Sequence, residues 1–393
     1  KLINNLTNKN QSKMEFLMYK TKGFMPKNFK SQAAMEFLMT YGWALLVVLI
    51  AIAALAFFGL LNPSRFLPEK ADLGTGLIVQ DAFVKDDFIA LLVYNGLGET
   101  LHEFTVTVDG CEGQQKTNNP FTFTSGSIEM IGVDCKLPAS PNSRLRSEMT
   151  ASYKTRIAGH ELQHSRKGEI NWNVADFTCG DEVYLIYRGN VEIYGSMPSP
   201  NTGECWMDRN LGATRVAESP TDHEAYGDFF QWGRLDDGHQ VIEWTGHNSG
   251  TPVSGTTSSL SDSDNPDHSD FITNTLSPYD WRVPQEDNLW QGVDGINNPC
   301  PQGWRLPTTG EWDTEIANWE LPYDDAAHDS LRLTLSSLRY YSDGALVDVG
   351  VDGYYWTSSV AGSDASGLYF DDDNVDTINV SRAFGFSVRC IRN

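Results

Sequence analysis

From Gly42 to Leu61 the chain reads GWALLVVLIAIAALAFFGLL, 20 residues without a charge or a proline. A helix of that length rises about 1.5 Å per residue and spans about 30 Å, the thickness of a bilayer core. Pro63 ends the run, and no later segment is comparable. One span is therefore expected. Lys20, Lys22, Lys27 and Lys30 precede it, which puts the N-terminal side in the cytoplasm and everything beyond Asn62 outside. The 393 residues allow two or three domains. A chain that is 40% hydrophobic and 21% charged is neither wholly disordered nor a polytopic membrane protein.

Charge divides the chain unevenly. The first 31 residues hold seven Lys and one Glu. From Cys179 to Asn393 there are 35 Asp and Glu against 11 Arg and no Lys. A net charge of −23 argues against nucleic acid as a partner, because phosphate binding needs a basic footprint. It favours solubility outside the cell, or reflects a salty habitat.

The residues before the apolar run are Lys30-Ser31-Gln32-Ala33-Ala34-Met35-Glu36-Phe37. A carboxylate inside an apolar helix is costly in lipid and needs a partner. A plain signal anchor is one reading. The sharper one is that this stretch resembles the class III leader of archaeal type IV pilins. The resemblance implies cleavage by a prepilin peptidase between Ser31 and Gln32. It also implies a leader over residues 1–31, a helix over 32–63, and Glu36 pairing with the amine of a neighbouring subunit during filament assembly. The chain does not begin with Met, and Met25 would open a shorter leader, MPKNFKS. Ala51, Ala53, Ala54, Ala56 and Gly59 would let such helices approach closely.

Beyond the helix, LIVQDAFV, FIALLVYN, EFTVTVDG and MTASYKTRIA are β-branched or aromatic runs separated by Asn95-Gly96, Asp109-Gly110 and Asn118-Asn119-Pro120. They predict an antiparallel β-sandwich over 66–175 that closes with a strand over Glu161–Asn173. The pattern is similar to archaeal pilin headgroups. His160-Glu161-Leu162-Gln163-His164 fits the HExxH of zinc proteases, which needs a helix to put both His on one face. Its neighbours Ala151–Ile157 and Ser165–Gly168 predict a hairpin instead. A strand sends the glutamate to the opposite face from the histidines.

Cys111, Cys135, Cys179, Cys205, Cys300 and Cys390 all follow the apolar run, so all face an oxidising space. Domain logic pairs Cys111 with Cys135, Cys179 with Cys205 and Cys300 with Cys390. There is no CxxC for redox or zinc-ribbon chemistry.

Residues 177–393 hold nine of the eleven Trp and a series of distinctive phrases. These are CWMDRNLGA from Cys205, YGDFFQWGR from Tyr226, CPQGWRLPT from Cys300, GYYWTSS from Gly353 and AFGFSVRC from Ala383. Together they resemble the Fibrobacter succinogenes major paralogous domain. The resemblance implies an α+β, C-type-lectin-like fold related to that of the formylglycine-generating enzyme. Thr308-x-x-Glu311 is a capping box followed by Trp312, Ile316 and Trp319 at helical spacing. Thr221-x-x-Glu224 predicts a second helix ending near Arg234. Trp206, Trp232, Trp304 and Trp356 read as core residues. Arg209, Arg305 and Arg389 are expected to pair with internal carboxylates such as Asp208.

A site is expected on the long loop from Thr245 to Asp280. Asp262, Asp264, Asn265, Asp267 and Asp270 cluster there, and Asp371, Asp372, Asp373, Asn374 and Asp376 form a second cluster. Both sets offer the oxygen ligands that Ca²⁺ takes, and both also read as a solvated acidic surface. The EPN, QPD and WND sets of true C-type lectins are absent. Asn379-Val380-Ser381 is a glycosylation sequon.

The whole chain reads as a non-enzymatic filament subunit or minor pilin. Its headpiece would face the cell exterior and bind a glycan or another surface ligand. The alternatives are a single-span surface protein that never polymerises and, through His160, Glu161 and His164, a zinc protease.

Overall fold

The computed structural model describes residues 29–57, 68–85, 87–117, 122–157 and 159–393. The chain forms two compact units, residues 1–67 and 68–393.

In the first unit, helix α1 runs Phe29–Phe57. Its side chains are described at Met39 and over 41–54, where Trp43, Leu45, Leu49 and Ile50 are uncovered. Among the described residues no helix is long and apolar enough to cross a membrane. The described side chains of α1 cover fewer positions than the roughly 20 a crossing takes. The end of the apolar run, Phe58–Leu61, lies outside the described residues, as does the leader up to Asn28. Ser31, Gln32 and Glu36 lie on the α1 backbone, and their side chains are also outside the described set.

The second unit is mostly β, built of several small sheets with few helices. Its first part is a sandwich of eight strands: β1 Lys70–Asp72, β2 Leu77–Val84, β3 Phe88–Asn95, β4 His102–Val108, β5 Glu112–Thr117, β6 Ile128–Lys136, β7 Arg144–Ile157 and β8 His160–Asn173. One sheet is ordered β1-β8-β7-β4 and the other β2-β3-β6-β5, with every pair antiparallel. Strand β7 alternates: Leu145, Met149, Ala151 and Tyr153 point inward while Arg146, Glu148 and Arg156 face solvent. The inward set meets Ile89, Leu91 and Val93 of β3 and Phe104, Val106 and Val108 of β4 in one apolar core.

Residues 176–393 follow a different plan. A hairpin of β9 Glu182–Tyr187 and β10 Asn190–Pro198 continues through β11 Cys205–Met207 to the C-terminal strand Ile391–Arg392 and the strand Trp304–Arg305. A second sheet joins Phe230–Gln231, Gly385–Phe386, Leu338–Arg339 and Leu346–Val347, and a third joins Gly353–Ala361, Asp364–Phe370 and Val375–Val380. Helix α2, Thr309–Ile316, starts at the capping box. Thr308 Oγ1 accepts from the Glu311 N–H at 3.3 Å, and Glu311 Oε2 accepts from the Thr308 N–H at 2.7 Å. Trp312 and Trp319 then pack with Leu331, Tyr355, Leu368 and Phe370.

The helix expected from Thr221 to Arg234 is not formed. A single 3₁₀ turn spans His223–Ala225, capped by Asp222 rather than Thr221. The chain turns at Gly227 (φ +72°), where a Cβ would lie 2.4 Å from the Leu211 carbonyl oxygen, and Phe230–Gln231 is already strand. The second helix of this region is instead α3, Tyr323–Leu331.

The sandwich and the later region share an interface. Lys85 is buried, donates to the Glu182 carbonyl at 2.6 Å and lies 3.7 Å from Asp181. Arg392 pairs with Asp87 at 2.7 Å, and both Lys85 and Arg392 sit over the Phe177 ring. Burial lowers the pKa of Lys85, and the neighbouring carboxylates offset it only in part. Gly132 of β6 permits the contact, since a Cβ there would come within 2.8 Å of Val191.

Candidate functional site

The HExxH segment is in the β7–β8 hairpin, with Ile157 opposite His160. Glu161 is tied to Arg156 at 2.9 Å and Lys154 at 3.6 Å. His164 meets the Thr155 hydroxyl at 2.8 Å and stacks on Tyr153. These three residues make hairpin contacts in place of a helical zinc face.

Disulfides join Cys179 to Cys205 and Cys300 to Cys390. Cys111 is also disulfide-bonded. The side chain of Cys135 lies outside the described residues. These bridges point to a secreted or extracellular-facing protein.

The long loop of 245–280 is woven into the fold. Ile242–Gly246 pairs with Ser249–Pro252, Thr256–Thr257 pairs with Phe271–Ile272, and Phe271 and Ile272 are fully buried. Asp264 is 2.9 Å from Arg282, the Asp267 N–H donates to Asn265, and Asp270 gives its carbonyl to Arg234. Asp262 is exposed. In the other cluster Asp371 accepts from Tyr369 and from the backbone N–H groups of Asp373 and Asn374. Asp372 and Asp373 point to solvent. Among the described residues no three His, Cys, Asp or Glu side chains converge to hold a metal ion. Each acidic run is held by bonds within its own turn.

Buried charge is arranged partly as expected. Arg209 meets Asp208 at 2.9 Å and Arg305 meets Glu311 at 2.6 Å. Arg389 departs from the expectation. It is fully buried, bonds Asn210 Oδ1 at 2.7 Å, and donates to the carbonyls of Met207, Leu331 and Arg332. Carbonyls freed by irregular backbone take the place of a carboxylate, and burial holds its pKa down to about 10. Glu315 is the mirror case. It is fully buried and takes hydrogen bonds from Ser199 at 2.6 Å, Asn201 at 2.9 Å, Thr202 at 3.3 Å and Ser330 at 2.5 Å. Two shallow cavities of about 420 and 370 Å³ meet at Asn201 beside it, the first walled by Trp319, Leu321, Asp325 and Asp329.

A row of aromatic rings runs through the buried Phe386 from the core toward the surface. In strand Gly353–Ala361 the period of two sends Tyr355 inward, fully buried, and Tyr354 outward, half-buried. Tyr354 faces Tyr369 across the strand pair, with ring centroids 5.1 Å apart. On its other side it meets Phe386 at 5.0 Å, which leads to Phe384 at 5.6 Å. Phe384 touches Tyr340 at 5.4 Å and Tyr341 at 4.8 Å, and Tyr341 meets Tyr279 at 5.9 Å.

Tyr279 is the outermost ring, 39% exposed, beside Leu276 at 74%. Its backbone is left-handed (φ +58°), a conformation a bulky residue rarely adopts. Three bonds hold it: Ser381 Oγ and the Ala383 N–H donate to the Tyr279 carbonyl, and the Tyr279 N–H donates to the Leu276 carbonyl at 2.7 Å.

Carboxyls border the inner end of this row. Burial first, then Asp348 and Asp371, push Asp352 up to about 6. Burial and the carboxyls of Asp352 and Asp371 raise Tyr354 to about 12 and raise Tyr369 further. Sequence reasoning passed over this row because exposed and core aromatics read alike in one dimension. The signal present was the alternation within the Tyr354-Tyr355 doublet. No known family model matches the sequence, and it matches none of the curated proteins compared with it.

Proposed function

We propose that this chain is a subunit, major or minor, of an extracellular type IV pilus-like filament. On this reading α1 builds the filament core after a prepilin peptidase cuts before Gln32, and the membrane holds the chain until then. The sandwich serves as the pilin headgroup. The region 177–393, read as a C-type-lectin-like module, is displayed for adhesion and ligand binding.

The observation that carries the reading is the joining of opposites in one chain. A helix whose apolar side chains are uncovered precedes a disulfide-braced unit whose later part is strongly acidic. Uncovered apolar surface on this scale needs lipid or other copies of itself. The alternative, a single-span receptor that does not polymerise, uses the same helix in lipid alone.

Electron microscopy of material sheared from cells, labelled with antibody against residues 177–393, tests the proposal. Label along or at the tips of filaments is expected. Label confined to membrane vesicles would sink the filament reading and favour the receptor.

A further inference from the structure

We propose that Asn379 is an N-glycosylation site, and that the glycan it carries guards the open edge of the strand Val375–Val380. This is independent of the filament reading. It needs only that this part of the chain lies outside the cell, to which the disulfides point.

The sequence narrows the choice to one residue. Asn-x-Ser/Thr, without proline at the middle place, occurs at Asn5, Asn10 and Asn379. The first two precede the apolar run and lie outside the described residues. Asn379 follows the run, as the cysteines do. The fold then gives this residue the exposure that a modified side chain needs. Asn379 is exposed near the end of the outer strand of the sheet formed by Gly353–Ala361, Asp364–Phe370 and Val375–Val380. Thr377, on the same face, is met by α2, its hydroxyl donating to Asp313 at 2.9 Å. The amide of Asn379 is also turned the right way. Ser366, buried and opposite Asn379 in register, donates its hydroxyl to Asn379 Oδ1 at 2.7 Å. Among the described residues no group bonds Nδ2, the atom a glycan takes. Glycosylation leaves Oδ1 free to accept, so the Ser366 bond survives it.

The donor is a glycan linked through its anomeric carbon to a lipid phosphate. Nδ2 gives up one of its two protons and bonds to that carbon. The carbon–oxygen bond to phosphate breaks, the phosphate leaves with the electron pair, and the proton passes to solvent. No oxidant or reductant is needed. In the fold the Ser381 hydroxyl of the sequon donates to the Tyr279 carbonyl at 2.5 Å. Transfer therefore precedes the closing of this region, while that hydroxyl is free to meet the transferring enzyme. The consequence of the modification is mechanical. Among the described residues the strand Val375–Val380 pairs on one side only, with Asp364–Phe370. A free strand edge is a template for pairing with another chain. A bulky, hydrated sugar chain at its end obstructs that addition.

The test is mass spectrometry of the peptide that contains Asn379, cut from the full chain isolated from its own cells. Added mass made of whole sugar residues and localised on Asn379 is expected. Ser381→Thr should keep that mass and Ser381→Ala should lose it, because the sequon requires a hydroxyl two residues on. The peptide of the parent chain is read after denaturation, so the main result does not depend on whether a variant folds. An unmodified Asn379 in the isolated parent would overturn the proposal. Added mass that persists in Ser381→Ala would overturn it too, since the sugar would then sit elsewhere. The modification forms whether or not the chain polymerises, so the filament reading is judged separately, by the labelled filaments.

Discussion

The sandwich and the region that follows share one compact unit and solve the problem of a stable interior in different ways. The sandwich satisfies its backbone by long ladders, above all the 14-residue strands of the β7–β8 hairpin, and fills the gap between sheets with Leu, Val, Ile and Phe. The later region has many two-residue strands and much irregular backbone. Buried carbonyls outside ladders must find donors. Side chains supply them. The indoles of Trp232, Trp281, Trp290 and Trp356 donate to the carbonyls of Thr357, Trp232, Asn297 and Phe230 at 2.7–2.9 Å. Arg389 and Arg339 do the same with guanidinium groups. Regular elements let a core be apolar, and their scarcity makes Trp and Arg into structural ties.

That contrast can be broken in several places. The Cys300–Cys390 bridge closes a 90-residue separation, so serine at both positions should cost about 4 kcal/mol by chemical denaturation. An Arg389→Leu substitution leaves Asn210 and three carbonyls without their donor and should cost about 3–4 kcal/mol despite the apolar replacement. In the sandwich, Leu91→Met should cost less than about 1.5 kcal/mol, because volume is nearly kept and no hydrogen bond is lost. If Arg389→Leu proves as mild as Leu91→Met, the tie account fails.

Asp352 sharpens the comparison through pH. Its folded pKa of about 6 lies above the usual carboxyl value, so the folded state holds its proton more tightly than the unfolded one. Its contribution is therefore full below about pH 4 and lost as pH rises through 6. Asp352→Asn should gain about 1 kcal/mol over the parent at pH 7, a figure discounted for the half-exposed carboxyl. The gain should vanish near pH 4 in thermal melts. The smallest effect is expected at the HExxH hairpin. His160→Ala should change stability by less than about 0.5 kcal/mol, because the side chain is exposed.

What the sequence disclosed follows the same division. The runs LIVQDAFV and FIALLVYN became β2 and β3, because β-branched and aromatic residues bounded by turn signals state a strand locally. The capping box at Thr308 was equally local. Helix α3 was missed because its buried residues are Ala327, His328, Ser330 and Leu331, which make no apolar stripe. Residues from Thr221 suggested a helix, but Gly227 and the strand pairing of Phe230 with Phe386 overrode it. The aromatic row joins rings far apart in the chain, from Tyr279 to Phe384, and no local pattern announces such a meeting.

On the filament reading α1 assembles and the unit beyond it is displayed. Mass spectrometry of the N-terminus of this chain, taken from filaments sheared off the cell surface, tests this. A mature chain beginning at Gln32 in the filament fraction is expected. A chain that retains the residues before Gln32 and stays with the membrane would contradict it.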